Sequence, residues 1–277
     1  MKYTFSGHET FQCKSLWLKK GVDFVNSGKN FNDADAVVDL GVGKNMVASI
    51  KFWLKSFNII DEENNVTDFG DFIFGDNGVD PFLEDTNTLW LLHFQLIKNY
   101  YATIYRQLFV DFHKERKDFS KINLFNFIKR QFADRVFENT IWNENTINKD
   151  IATFLKMYVT PDNCTFDDYS ALLLNLNLIK KVEKDLFEFN YSTKADIHPL
   201  IFLYAIKVVA GDDKVVEYDK LLKLSLVFCL SQGKMLDLFQ KINHFYPNIS
   251  FDNSAGEQLF SIKEQLSLND ILTKYYS

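Results

Sequence analysis

Residues Leu40–Phe74 read LGVGKNMVASIKFWLKSFNIIDEENNVTDFGDFIF, and their reading decides the fold. Met46, Val47, Ile50, Trp53, Leu54 and Phe57 recur at about 100° per residue, the period of an amphipathic helix over Lys44–Phe57. Lys44, Ala48, Lys51 and Lys55 fall near the centre of the opposite face. Between Leu40 and Asp61 there are three Lys and no acid, so the expected outer face is a cationic stripe. Gly41-Val42-Gly43 supplies the Gly-containing turn that joins two helices of a helix-turn-helix. Ile59-Ile60, the polar turn Asp61–Asn65 and Val66-Thr67 read as a small β-hairpin, and Asp68–Phe74 as a further strand or helix. Together they predict the second half of a winged helix-turn-helix.

Upstream, Lys14–Asn26 has helical spacing and ends at the turn Ser27–Asn30. Ala34–Leu40 forms a short helix closed by Gly41. Residues Lys2–Phe11 are too polar and short for a helix, and Phe5 and Phe11 are placed to anchor them on the core. Downstream, Gly75–Asp85 is an acidic, Gly-rich connector. Asp76, Asn77 and Asp80 lack the ladder and terminal Glu of a calcium loop.

Thr88–Phe109, Ile122–Phe132 and Ile147–Tyr158 follow as apolar-faced helices, and 121–160 has the outline of a second helix-turn-helix. Its outer face mixes Asn148, Lys149, Asp150 and Lys156, which makes it a weaker DNA candidate than the first. Thr160–Asp168 is the clearest linker. Tyr169–Ile179 reads as a Leu-rich helix and Leu186–Tyr191 as a strand. Pro199–Val209, Tyr218–Leu230, Met235–Phe245 and Leu266–Tyr276 read as helices. Residues Asn248–Phe260 form a last hairpin about the turn Asp252–Gly256. The expected fold is mainly α: an N-terminal winged helix-turn-helix over 1–85, a central helical domain over 86–160, and a C-terminal helical domain with short hairpins over 161–277. Further winged-helix-like units fit the same pattern.

Charge narrows the function classes. The chain of 277 residues carries 31 Lys and Arg against 37 Asp and Glu, a net charge of −6. The whole-molecule field therefore repels nucleic acid weakly, and any DNA contact must come from a local basic patch. Lys44, Lys51 and Lys55 supply phosphate contacts on such a patch, and Asn45 and Ser49 face base edges. Lys14, Lys19 and Lys20, with no acid between them, are candidate backbone clamps. Three or four lysine contacts give modest, salt-sensitive affinity, so specific binding to double-stranded DNA needs a homodimer or partner subunits. The acidic hairpin tip is unfavourable beside phosphate and speaks for the alternative, a protein-interaction adaptor without direct DNA contact.

No catalytic, cofactor or metal motif emerges. Gly41-Val42-Gly43-Lys44-Asn45 is not a phosphate loop, because the glycine spacing, the residue after Lys44 and the preceding helix are all wrong. His8, Glu9 and His93 are the residues an active site would have to use, and no HExxH or His-Cys-Cys spacing supports one. Cys13, Cys164 and Cys229 are odd in number and far apart, which predicts small buried side chains in a reducing cytoplasm. No apolar leader and no run of about 20 apolar residues occurs, so a membrane is not an expected partner.

Five stretches stand in a telling order: FSGHETF (Phe5–Phe11), WLKKG (Trp17–Gly21), LGVGKNMV (Leu40–Val47) with Ile50–Trp53, GDNGVDPFLED (Gly75–Asp85) and Thr88–His93. In these the chain resembles domain-of-unknown-function family 4007, most specifically over its first third. The resemblance implies a bacterial protein encoded beside PAPS-reductase-like proteins, in settings of DNA phosphorothioation and phage defence. It implies a non-catalytic accessory partner of DNA-modifying or DNA-sensing machinery, and it assigns no catalytic residues. Where Pro-Leu-Arg or similar is expected after HETF, this chain has Gln12-Cys13-Lys14, and Lys14 keeps a cation nearby.

Overall fold

Backbone hydrogen bonding in this chain is satisfied mostly within short helices, with small antiparallel sheets between them. The computed structural model describes residues 3–137, 140–162, 169–192, 196–252, 258–263 and 265–277. They fall into two compact units, Met1–Asn190 and Tyr191–Ser277. The expected boundaries at 85/86 and 160/161 both lie inside the first.

The first unit opens with an arm, residues 3–16. Phe5 packs against Phe132 and Phe137, and Trp53 Nε1 donates to the Phe11 carbonyl at 3.1 Å. Helices α1 (Trp17–Asn26), α2 (Ala36–Leu40) and α3 (Lys44–Ser56) follow. Gly41 takes φ 59 after α2, the left-handed conformation the turn requires. Ile60 and Val66 form an antiparallel bridge, and Asp61–Asn65 turn between them. Thr67 then caps α4 (Asp68–Phe74), its hydroxyl accepting from Gly70 N–H at 3.0 Å. Helix wins over strand here because Thr67 supplies the cap and Gly70 lets α4 abut the chain: a Cβ there would meet the Ile59 carbonyl at 2.4 Å. The acidic connector is a turn. Asp80 is buried and its carboxylate accepts from the Glu84 and Asp85 amides at 2.8 and 3.1 Å.

The expected single helix over Thr88–Phe109 is broken. Helix α5 (Thr86–Lys98) stops where Asn99 turns its side-chain amide to the Lys55 and Ser56 carbonyls and Tyr100 adopts φ 62. The chain resumes as α6 (Thr103–Arg106), passes through a π-helical stretch, Gln107–Phe112, and ends in α7 (His113–Glu115). Strand β1 (Asp118–Phe119) precedes α8 (Lys121–Ala133), which starts on a Ser120–Asn123 capping box. Helix α9 (Glu144–Tyr158) is capped by Asn143. The expected helix over Tyr169–Ile179 does not form. Backbone groups of residues 170–172 pair with residues 13–15, including Leu172 N–H to the Cys13 carbonyl at 2.9 Å, and the helical geometry that remains is 3₁₀, at residues 169–170 and at Leu174–Leu176. Strands β2 (Ile179–Glu183) and β3 (Leu186–Phe189) close a sheet of order β1-β3-β2.

The second unit holds α10 (Pro199–Ala210), β4 (Val215–Glu217), α11 (Tyr218–Val227), α12 (Gln232–Phe245), β5 (Ile249–Asp252), β6 (Leu259–Ile262) and α13 (Leu268–Tyr276). Its sheet has the order β4-β6-β5. The turn expected at Asp252–Gly256 and the linker at Thr160–Asp168 extend outside the described residues. Both sheets share one arrangement. A helix leads into the first strand, two helices separate it from a hairpin, and the last strand sits in the middle.

Candidate nucleic-acid interface

Helix α3 is held in place by its apolar side. Val47, Ile50, Phe52, Trp53 and Leu54 are buried, and Gly21 of α1 faces Leu54 so closely that a Cβ would come within 2.5 Å of it. Phe52 and Trp53 also carry the arm. The His8 ring stacks on Trp53 and meets Phe52 edge-on. Gly7, at φ +104, lies against Phe52, where a Cβ would sit 2.6 Å from Cδ2.

The outer side of α3 is shorter than its spacing predicts. Lys44, Asn45 and Ala48 are exposed and Lys51 is partly exposed. Among the described residues neither Lys44 nor Lys51 has an ion-pair partner. Burial, and then the nearby Lys55 charge, lower the Lys51 pKa from the ordinary lysine value. Lys55, expected on the same stripe, is instead buried. Its ammonium donates to the Glu62 carbonyl at 2.8 Å and pairs with the Glu62 carboxylate at 3.2 Å. The hairpin folds back over this end of the helix and takes the lysine with it. Ser49, expected at a base edge, is fully buried. Five residues on from Lys44 it has rotated about 140°, onto the flank one turn before the arm-bearing Phe52 and Trp53.

A concavity of about 550 Å³ opens beside the exposed half of α3. Phe31, Ala36, Val47 and Ala48 line it with Asn32 and Asp33, and Lys44 and Lys51 contribute their side chains. Ala36 of α2 and Ala48 of α3 are the small residues of this lining. Asp33 is the acid here, and its carboxylate accepts the Asn30 amide at 2.9 Å. Residue spacing pointed to the two lysines and Ala48; the opposing wall, Phe31–Ala36, needed the fold.

The three proposed clamps sit differently. Lys19 is paired with Asp23, and Lys20 donates to the Leu40 carbonyl at 3.1 Å. Both line a second concavity with Lys29, itself 2.8 Å from Asp39. Lys14 lies 5.8 Å from the centroid of the Trp17 ring. At the hairpin tip, hydrogen bonds from Asn65, chiefly its backbone amide, lower the Asp61 pKa.

His8, Glu9 and His93 do not assemble. His8 Nδ1 accepts the Thr10 amide at 3.1 Å, which leaves its proton on Nε2, 2.8 Å from Asp150 Oδ1. His93 Nδ1 lies 3.0 Å from the Tyr158 hydroxyl, and Glu9 is exposed. Among the described residues no group of three or more His, Cys, Asp or Glu is arranged to hold a metal ion. Cys13 and Cys229 are buried, and burial pushes the Cys13 thiol pKa well up; Cys164 lies outside the described residues.

Residues 5–276 match the family described as "Protein of unknown function (DUF4007)". The chain belongs to this family. No curated protein matches it. Two solved structures share the fold. "Magnesium ion-bound SspB crystal structure" superposes with a TM-score of 0.85, at 22% identity over 99% of this chain and 88% of that one. "SspB crystal structure" gives 0.84, with the same identity and coverage. Among the described residues no helix is long and apolar enough to cross a membrane.

Proposed function

We propose that this chain is a non-catalytic accessory protein of a bacterial DNA-modification or phage-defence system, and that the N-terminal half of α3 lies against double-stranded DNA. The observation that carries the reading is the pair Lys44 and Lys51. Among the described residues neither has an ion-pair partner, they flank an exposed alanine, and they border a concavity of about 550 Å³. The α1–α2–α3 order followed by the Ile60–Val66 bridge fits a small winged helix-turn-helix with α3 as its third helix. The contact surface is Lys44, Asn45, Ala48 and Lys51. Lys55 ties the hairpin to the helix, Ser49 is buried away from the contact surface, and the resemblance to family 4007 supplies the biological setting.

Binding of a labelled duplex, followed by fluorescence anisotropy across a salt series, tests this. Lys44→Glu with Lys51→Glu is expected to weaken binding by at least tenfold and to lower the salt slope by about 2. Unchanged binding refutes it.

A second reading, an adaptor that docks on a protein partner, has its own support. Leu16 is 63% exposed and lines the concavity whose lysines 19 and 29 are already paired with acids.

A further inference from the structure

We infer that α9 carries a second contact with the phosphate backbone of duplex DNA, made by Lys149 and Lys156. The inference rests on the reading of α3 above and extends it to the middle of the chain. In sequence the outer face of α9 looks mixed, because Asp150 follows Lys149. The fold removes that acid from the face. Asp150 is 2% exposed and turned inward, where its carboxylate accepts the Ser6 amide at 3.0 Å and the His8 ring at 2.8 Å. What remains exposed is Asn145, Asn148, Lys149, Ala152 and Lys156. Glu144 is exposed too, but it belongs to the first turn, about 100° around the helix from the centre of this face.

Neither Lys149 nor Lys156 has an ion-pair partner among the described residues. At about 1.5 Å per residue they stand roughly 10 Å apart along the axis, with Ala152 between them. The layout matches Lys44, Ala48 and Lys51 on α3. The topology matches as well: α9 is the second of two helices between β1 and the β2–β3 hairpin, in a sheet with its last strand central. That is where a winged helix-turn-helix places the helix that meets DNA. Two ammonium ions without an ion-pair partner among the described residues, flanking a small residue, form the local basic patch that contact with a polyanion requires on a protein of net charge −6.

The test uses the full chain and a labelled duplex of about 20 base pairs, titrated across a salt series. Lys149→Ala with Lys156→Ala is expected to weaken binding about tenfold and to lower the salt slope by about 2. Lys149→Arg with Lys156→Arg should retain both. If the alanine pair leaves affinity and slope unchanged while the α3 variants lower them, the α9 contact is wrong and the α3 reading stands. An alanine pair that weakens binding with no change of slope also overturns it, because the loss then comes from the scaffold. If the wild-type chain binds no duplex at low salt, both readings fall together.

Discussion

His8 and Asp150 are joined by a hydrogen bond of 2.8 Å between two side chains that are 4% and 2% exposed, 142 residues apart in sequence. The bond ties the N-terminal arm to α9, while the same imidazole rests on Phe52 and Trp53 of α3. One side chain therefore braces the buried sides of both helices whose outer faces carry lysines without an ion-pair partner among the described residues.

Breaking that brace should cost stability. His8→Ala leaves a buried carboxylate short of a donor, and a loss of about 2–3 kcal/mol in urea unfolding is expected. Asp150→Ala strands the His8 ring and the Ser6 amide and should cost a similar amount. A change below 0.5 kcal/mol, roughly that of an ordinary surface substitution, would show that the pair is not structural.

Lys51 should separate binding from stability. Its folded pKa is lowered, so charging it is harder in the folded chain than in the unfolded one. A lowered pKa contributes stability that is present above the unfolded lysine pKa and lost as pH falls through the folded value. At neutral pH the charge thus works against the fold. Lys51→Met should leave Tm unchanged or slightly raised while duplex affinity drops.

Lys55 should behave in the opposite way. Its ammonium is engaged by Glu62 beneath the hairpin, so Lys55→Ala should destabilise the protein by about 1–3 kcal/mol. The residual folded protein should keep its salt slope for DNA, since Lys55 offers no exposed charge. A slope that falls by about 1 would return Lys55 to the interface.

Gly7→Ala combines two penalties, a positive φ that L side chains avoid and a Cβ 2.6 Å from the Phe52 ring. A loss of about 1–3 kcal/mol is expected in thermal or urea unfolding, with the arm more open to proteolysis. Wild-type stability in this variant would mean that the arm does not pack as described.

High pH should weaken the second unit through Tyr191. Burial, with a smaller push from Cys229, raises its phenol from 10.0 to about 12. A raised pKa contributes stability that is full below the unfolded value and lost as pH rises through the folded one. Stability should fall between about pH 10 and 12, and Tyr191→Phe should flatten that decline. Tyr105 differs, because its buried hydroxyl has no hydrogen-bond partner among the described residues. Tyr105→Phe should be neutral or stabilising by up to about 1 kcal/mol.

The sequence by itself determined the mainly helical character, the glycine turn between the helices on either side of Gly41, and the family. These follow from local signals: apolar period, Gly41 at a left-handed position and ordered motifs. Lys44, Asn45 and Lys51 were legible as an outward face for the same reason. Only the tertiary structure decided the fate of the other charged and polar residues. Periodicity knows one buried face per helix, whereas α3 is also covered by the arm at Phe52 and Trp53 and by the hairpin at Lys55. The break at Asn99 and the failed helix at 169–179 depend on partners far away in sequence, the carbonyls of Lys55 and Ser56 and the backbone of residues 13–15. So does Asp150, an acid that the residue order places beside a lysine and that the fold hands to His8. Helix Lys44–Ser56, from which the fold was read, keeps its cationic face at its N-terminal half alone, because long-range contacts, and not local spacing, set which of its side chains reach solvent.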